Sequence, residues 1–445
     1  MSPKVDLYQH QRTMLGLMRA NEGLALFAEM GTGKTLPTLM RALDVARRGG
    51  ECLVVAPAAV CAGWLSKISD YFDPRDQETL RSHLTVTSYE MSARPGFSRH
   101  WDMLVLDEGH YIKSATAKRS KRARVMACDA DLKYLLTGTP TSNGQLSNLW
   151  SELCFLDPRP GSREGLTLSN IWEPYTGRGG YYEWLNRFAR LDQWHKPYGY
   201  RDVSTIQKIV GEHAYRITKA ECLDLPEVLP DEILRVPDGE TRLYRNIARE
   251  SADVEHDILC ENSLTRLLAL RQICSGFVTQ DGTVTGLKDP KATWLREFLK
   301  DFDGKLVVFC DFRHSVDVVA DAMTKAHMNP IILDGRTTDK GCWELFQHMP
   351  DVRGIVCQYQ SGGAGIDLTA ASTCLFYEPT LSSNLNQQAR DRIHRIGQGS
   401  ACSYLYLMCA GSIEESIYKA LRGYQDFSVS FFEQHMEECA KGEWK

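Results

Sequence analysis

"LALFAEMGTGKT", residues 24–35, runs from a short apolar stretch into a glycine-bracketed lysine and threonine. A near-continuous apolar run of this length predicts a strand buried on both faces. Gly31 and Gly33 permit a tight turn that aims successive backbone N–H groups at one polyphosphate, with Thr32 between them in the same cradle. Lys34 then reaches the β- and γ-phosphates, and Thr35 offers a hydroxyl to Mg2+. The helix expected next adds the positive end of its dipole. Such a loop usually starts with glycine where this chain has Ala28, so it is a variant. The alternative reading is a glycine turn with a solvated lysine.

"MLVLDEGH" (103–110) decides between them. It is an apolar strand ending in two carboxylates, at the carboxyl end where ligands sit in parallel sheets. Asp107 is placed to hold Mg2+, directly or through water, and Glu108 to polarise the attacking water as general base. A lone Asp-Glu is commonly an acidic turn, but the lysine loop supplies its partner. "LTGTPTSN" (136–143) follows another strand, where Thr137 and Thr139 are candidates to bridge the nucleotide site to whatever is moved.

Working outward, apolar runs recur in two groups: 24–27, 52–56, 84–87, 103–106 and 134–137, then 305–310, 330–333, 354–357, 374–377 and 404–408. Helix-compatible segments separate them, which predicts parallel sheets covered on both sides. A chain of 445 residues exceeds one hydrophobic core. With 43% hydrophobic and 24% charged residues it reads as an ordinary globular protein. The net charge of −5 means that a polyanion must be held by a local basic surface. None of the fourteen cysteines forms a C-x-x-C pair, so free thiols of a reducing compartment are expected and zinc is not. No apolar run approaches the roughly 18 residues of a membrane span, nor does the N-terminus resemble a signal peptide.

Between the groups, 172–202 is rich in aromatic and basic residues. Tyr181, Tyr182, Trp184, Phe188 and Trp194 are read there as the small core of a helical protrusion. "SLTRLLALRQICSG" (263–276) predicts a helix stopped by Gly276. "KSATAKRSKRAR" (113–124) contains Lys113, Lys118, Arg119, Lys121, Arg122 and Arg124 and no acid. A helix there is either a contact for a polyanion's phosphates or a solvated face, with a nuclear-import signal the weaker alternative. Arg313 or His314, after the strand 305–310, is a further phosphate candidate, and Trp64 is read as core. In "QQARDRIHRIGQ" (387–398), Arg392 and Arg395 share one face if the segment is helical.

Taken together, these motifs resemble the superfamily-two helicase-like ATPases, and within them the Swi/Snf family, from about residue 5 to 420. "LYQHQ" (7–11) looks like the family's adenine-reading element, with Gln11 the reader. "VVAPAAVCAGWLSKI" (54–68), "TSYE" (87–90), "YRITKAECLDLP" (215–226), "LRQICSG" (270–276), "LDGRTT" (333–338) and "SGGAGIDLTAA" (361–371) are similar to its further blocks, and "RIHRIGQ" is highly specific to it. The resemblance implies an α/β fold of two RecA-like parallel-sheet lobes in tandem with small helical protrusions. The N-terminal lobe is expected at 1–225, with a protrusion at about 151–210. The C-terminal lobe is expected at 226–445, with one at about 238–280.

It also implies one ATP site split between the lobes, with Arg392 and Arg395 as arginine fingers, Gln388 nearby, and Gly363, Gly365 and Asp367 in a loop touching nucleotide and DNA. ATP and Mg2+ are the implied cofactors. The implied track is double-stranded or branched DNA, with replication or recombination proteins as further partners and no membrane. The region 172–202 resembles its counterpart in the annealing-helicase subgroup. The expected function is thus an ATP-dependent duplex-DNA translocase acting in branch migration or fork remodelling. The alternatives are a motor displacing RNA polymerase and a nucleotide-gated, non-hydrolysing DNA-binding module. No strand-separating wedge stands out. So little beyond the motor suggests a prokaryotic or viral cytoplasmic protein, nuclear if eukaryotic.

Overall fold

The computed structural model describes residues 4–141, 144–161, 167–237, 239–256, 258–280, 282–339, 341–362 and 366–440. The chain divides into two compact units, Met1–Asp224 and Leu225–Lys445. No helix among the described residues is long and apolar enough to cross a membrane.

The first unit is built on β1 (Gly23–Ala28), β2 (Cys52–Ala56), β3 (Leu84–Ser88), β4 (Trp101–Asp107), β5 (Ala130–Thr137) and β6 (Ala214–Ile217). All neighbours pair in parallel, in the order β6-β1-β5-β4-β2-β3. Both faces are buried, which is why the strands read as apolar runs. Ala25, Phe27, Leu104 and Leu106 enter one core, whereas Leu24, Leu26, Met103 and Val105 enter the other. Burying one such leucine stabilises the fold by about 1.5–3 kcal/mol.

The second unit repeats the plan with β7 (Glu232–Val236), β8 (Leu306–Cys310), β9 (Ile331–Leu333), β10 (Gly354–Gln358), β11 (Thr373–Phe376) and β12 (Ser403–Cys409). Its order is β7-β12-β11-β8-β10-β9, again parallel throughout. The α/β expectation of two parallel-sheet lobes holds. The apolar runs missed β6 and β7 because both are half-buried and carry Arg216, Glu232 and Arg235.

Two regions depart from the sheets. Residues 148–213 contain helices Asn148–Leu156, Tyr181–Phe188 and Val203–His213, with short antiparallel strand pairs between them. Trp172, Trp184 and Phe188 are fully buried there and pack edge-on. The expectation of an all-core aromatic set fails for Tyr182 and Trp194, which are 65% and 70% exposed. In the second unit, Ser263–Cys274 is the expected helix and Gly276 follows it at φ +74°. Only Leu267 and Leu270 of its leucines face the core; Leu264 and Leu268 are exposed.

Candidate nucleotide site

The phosphate loop leaves the carboxyl end of β1, and the helix Thr35–Ala46 starts directly after Lys34. Gly31 and Gly33 stand at φ +80° and +78°, where a side chain would be strained. The loop is anchored from the preceding helix, Gln9–Ala20. His10 Nε2 donates to the carbonyl of Thr32 (2.7 Å), and Gln11 Nε2 donates to that of Gly33 (3.0 Å). Gln11 Oε1 accepts from the backbone of Tyr8 (3.0 Å). The expected adenine reader therefore has its amide committed to holding the loop, and reading a base would require exchanging these bonds. Lys34 Nζ donates to the carbonyls of Ala28 (2.7 Å) and Glu29 (3.2 Å). Thr32 Oγ1 caps the turn on Glu29 O (2.7 Å).

The "LTGTP" segment lies against this loop. A Cβ on Gly138 would stand 3.0 Å from the backbone nitrogen of Met30, a close approach that favours glycine. Thr137 Oγ1, fully buried, accepts from the backbone of Thr139 (3.1 Å). Ser142 and Asn143 lie outside the described residues.

Asp107 ends β4. Its Oδ2 accepts from Trp64 Nε1 (2.8 Å), and its Oδ1 from the backbone of Glu108 (3.0 Å). Burial, and then the charge of Glu108, push its pKa up to about 6; the Trp64 hydrogen bond and the Lys34 ammonium pull it back. A carboxylate held charged against desolvation, with a lysine acting on it, fits a divalent cation: such an ion would relieve the same penalty. Glu108 adopts the left-handed conformation, φ +52° and ψ +53°, with its Oε2 3.4 Å from His110 Nδ1. Gly109 follows because Leu135 occupies the space of a Cβ. Trp64, 2% exposed, is core as expected, yet it also orients the acid.

In the second unit the helix expectation for the late arginines fails. The helix Ser383–Arg390 ends before them, so Arg392 and Arg395 lie in the turns beyond it. They nonetheless converge: Arg392 Nη1 (3.3 Å) and Arg395 Nη1 (2.9 Å) both donate to Ile366 O. Arg392 Nε also donates to Gln388 O (3.1 Å). Arg395 Nε is buried with no hydrogen-bond partner among the described residues. An orphaned guanidinium donor of this kind is suited to an anionic oxygen. Gln398 Nε2 clamps the turns through Ala371 O (2.8 Å) and Ile393 O (2.9 Å). That role was missed, and its one sequence signal is the preceding glycine, Gly397 at φ +102°. Asp367 Oδ1 accepts from Thr369 N (3.1 Å) and Oγ1 (2.8 Å), which makes it a turn cap here. Gly363 and Gly365 lie outside the described residues.

Residues 8–275 match the model of the SNF2-related domain, and residues 290–397 that of the helicase conserved C-terminal domain. The chain belongs to the SNF2 family of helicase-like, DNA-dependent ATPases. It is 25% identical over 531 residues to the TATA-binding protein-associated factor BTAF1 of Arabidopsis thaliana, covering 96% of this chain and 25% of that protein. It is 23% identical over 493 residues to the probable global transactivator of Orgyia pseudotsugata multicapsid polyhedrosis virus, covering 98% of this chain and 92% of that one. The solved Sulfolobus solfataricus SWI2/SNF2 ATPase core in complex with dsDNA is similar over 97% of this chain and 93% of that chain, at 22% identity and a TM-score of 0.43. This SNF2 chain thus spans 25% of the plant relative's length and nearly all of the viral one's.

The basic run of this SNF2 chain divides once folded. The helix Lys118–Cys128 leaves Lys118 and Arg119 exposed and Lys121 and Arg122 half-buried. Arg122 donates to Ser98 Oγ, and Lys113 is half-buried just ahead of the helix. Arg124 is not a DNA candidate. It is fully buried, donating to Thr167 Oγ1 (2.7 Å), Ser151 Oγ (2.6 Å) and Ala115 O (2.6 Å). Arg313 is exposed at the start of the helix Arg313–Lys325, so near the "LDGRTT" loop that a Cβ on Gly335 would stand 3.2 Å from its Nη2.

Proposed function

We propose that this SNF2 ATPase is a duplex-DNA translocase driven by Mg-ATP hydrolysis and that it remodels branched DNA, by branch migration or fork remodelling. The observation that carries the ATPase chemistry is the end of β4. There Asp107 is held by Trp64 and the Glu108 backbone while the phosphate-loop lysine acts on it electrostatically. In this reading the backbone of Gly31, Thr32 and Gly33 cradles the phosphates, and Lys34 exchanges its carbonyl partners for phosphate oxygens. Thr35 and Asp107 hold Mg2+, which neutralises charge on the β- and γ-phosphates when bound. Glu108 takes the proton of the attacking water, and the products are ADP and inorganic phosphate.

From the second unit, Arg392, Arg395 and Gln388 are the residues assigned to the γ-phosphate. The unsatisfied Nε of Arg395 supports that assignment. Lys113, Lys118, Arg119, Lys121, Arg122 and Arg313 supply the phosphate grip that a net charge of −5 requires to be local. The branched-DNA part draws support from the aromatic and basic region 172–202.

The test is a panel of single strands, duplex, forks and synthetic Holliday junctions incubated with ATP. Duplex-stimulated hydrolysis with conversion of forks or junctions is expected. Strong hydrolysis with every branched substrate left unchanged would remove the remodelling part, and displacement of a stalled polymerase under those conditions would replace it.

A further inference from the structure

The nucleotide site makes no use of the hairpin formed by strands Ala189–Leu191 and Pro197–Tyr200. Its root is fixed. Ala189 is fully buried, Arg201 Nη2 donates to Ala189 O (2.7 Å), and Tyr200 packs its ring on Trp184 and its hydroxyl on Ser147 Oγ (3.2 Å). Its tip is preorganised by one carboxylate. Asp192 Oδ1 accepts from the backbones of Trp194 (2.9 Å) and Lys196 (2.8 Å). The backbone of Asp192 also pairs with Lys196 O (3.0 Å) and His195 N (3.0 Å), and His195 sits at φ +61°. This loop holds Trp194 out at 70% exposure, with Tyr198, also 70% exposed, at the bulge of the second strand.

The charge around that indole is uneven. Arg190 and Lys196 are exposed and form no ion pair among the described residues. The Asp192 carboxylate is spent on backbone N–H groups, and Asp202 is bound by Arg187 (2.5 Å). Trp194 lies between Gln193 and His195, with no apolar loop neighbour. A protein hot spot is ordinarily ringed by contacts that exclude water, whereas the two residues flanking this ring in the loop, Gln193 and His195, are polar and exposed. An exposed ring on a hairpin that also carries two exposed cations without an ion pair among the described residues instead matches the pairing of a base's π-face with its phosphate. A paired, stacked base offers no free face, whereas the first unpaired base at a fork or junction does.

We propose that the hairpin tip is a nucleobase-stacking element that places Trp194 on an unpaired base where a DNA duplex opens, with Arg190 and Lys196 on the adjoining phosphates. This rests on the reading of the chain as a DNA motor, and it gives that reading a junction-sensing part. Because Trp194 is largely solvated, its removal leaves the fold and the nucleotide site intact.

The experiment measures binding by the full chain without nucleotide, using forks that carry 2-aminopurine at the first unpaired position and blunt duplexes of equal length. Wild-type protein is expected to quench the fork probe. Trp194→Ala should abolish the quench and weaken fork affinity about tenfold while leaving duplex affinity unchanged; that fold-change corresponds to about 1.4 kcal/mol, within the range for one stacked base. Trp194→Phe should retain part of both. The double variant Arg190→Ala/Lys196→Ala should flatten the salt dependence of fork binding. An unchanged fork-to-duplex affinity ratio in Trp194→Ala overturns the proposal, as does its loss of a protein contact with fork binding intact. If wild-type hydrolysis does not respond to any DNA, the motor reading fails instead; the probe signal, needing no ATP, is read separately.

Discussion

Replacing Trp64 with phenylalanine isolates one hydrogen bond, the one that links a buried aromatic to the carboxylate of the proposed cation site. Trp64 Nε1 donates to Asp107 Oδ2 at 2.8 Å, and it leads the influences that pull the acid's pKa down towards about 6. A hydrogen bond to a charged group contributes about 1.5–3 kcal/mol, and one pKa unit is about 1.36 kcal/mol. Allowing for water entering the vacated space, Asp107 should titrate about one pH unit higher in the variant. A proton on Asp107 competes with Mg2+, so the metal requirement steepens as pH falls through that pKa.

The assay is the Mg2+ concentration for half-maximal DNA-stimulated ATPase between pH 5.5 and 9. Its acid-side break should move up by about one unit, with near-normal kcat recovered at high pH. Stability offers a second readout, whose sign follows from linkage. The folded pKa of about 6 lies above the ordinary 3.8, so the folded state binds more protons between those values. The metal-free protein therefore loses up to about 3 kcal/mol as pH rises from about 4 to 6, and this contribution stays flat above. In Trp64→Phe the loss should continue to about pH 7, on top of a pH-independent packing cost. If the break in metal dependence stays in place while kcat falls, Trp64 acts through packing alone and the reasoning is wrong.

Lys34→Ala should abolish turnover and leave DNA affinity within about twofold, since the lysine serves phosphate rather than DNA; DNA binding by anisotropy beside an ATPase assay checks this. Arg395→Ala should lower kcat by about 10³-fold or more with a much smaller change in ATP affinity, and normal turnover with DNA present would remove its finger role. Changing Lys118, Arg119 and Lys121 together to alanine should weaken duplex binding and reduce its logarithmic salt slope by about two to three; an unaltered slope returns the helix face to plain solvent. Arg124→Ala should instead destabilise the first unit by about 3 kcal/mol or more, because it removes three buried hydrogen bonds to a guanidinium and leaves a cavity, and a urea unfolding midpoint that does not move would contradict its buried placement.

The strands were legible because burial on both faces leaves a mark in one dimension. A run such as 52–56 has no polar alternation to confuse it, and all ten apolar runs became sheet strands. Strands β6 and β7 carry no such mark, since they are half-buried and interrupted by Arg216, Glu232 and Arg235. The phosphate loop was legible for a related reason: its glycines, lysine and threonine are contiguous, so the geometry they need is local. The position of Arg392 and Arg395 beyond a helix end was not, because their direction is set by the carbonyl of Ile366, 26 and 29 residues away in the chain.

By itself, then, the amino-acid order determined the two parallel sheets, the phosphate cradle at Gly31–Thr35 and the acid pair Asp107–Glu108. Each depends on short-range stereochemistry or on which residues avoid water. Only the tertiary structure decided that Arg124 leaves the basic run for the core, that Trp64 orients Asp107, and that Trp194 leaves the core for solvent. A charge or an aromatic ring reads the same in sequence whether it is buried or exposed. Its place is chosen by partners 27 and 43 residues distant for Arg124 and Trp64, and by a hairpin turn for Trp194, and such pairings exist only once the chain has packed.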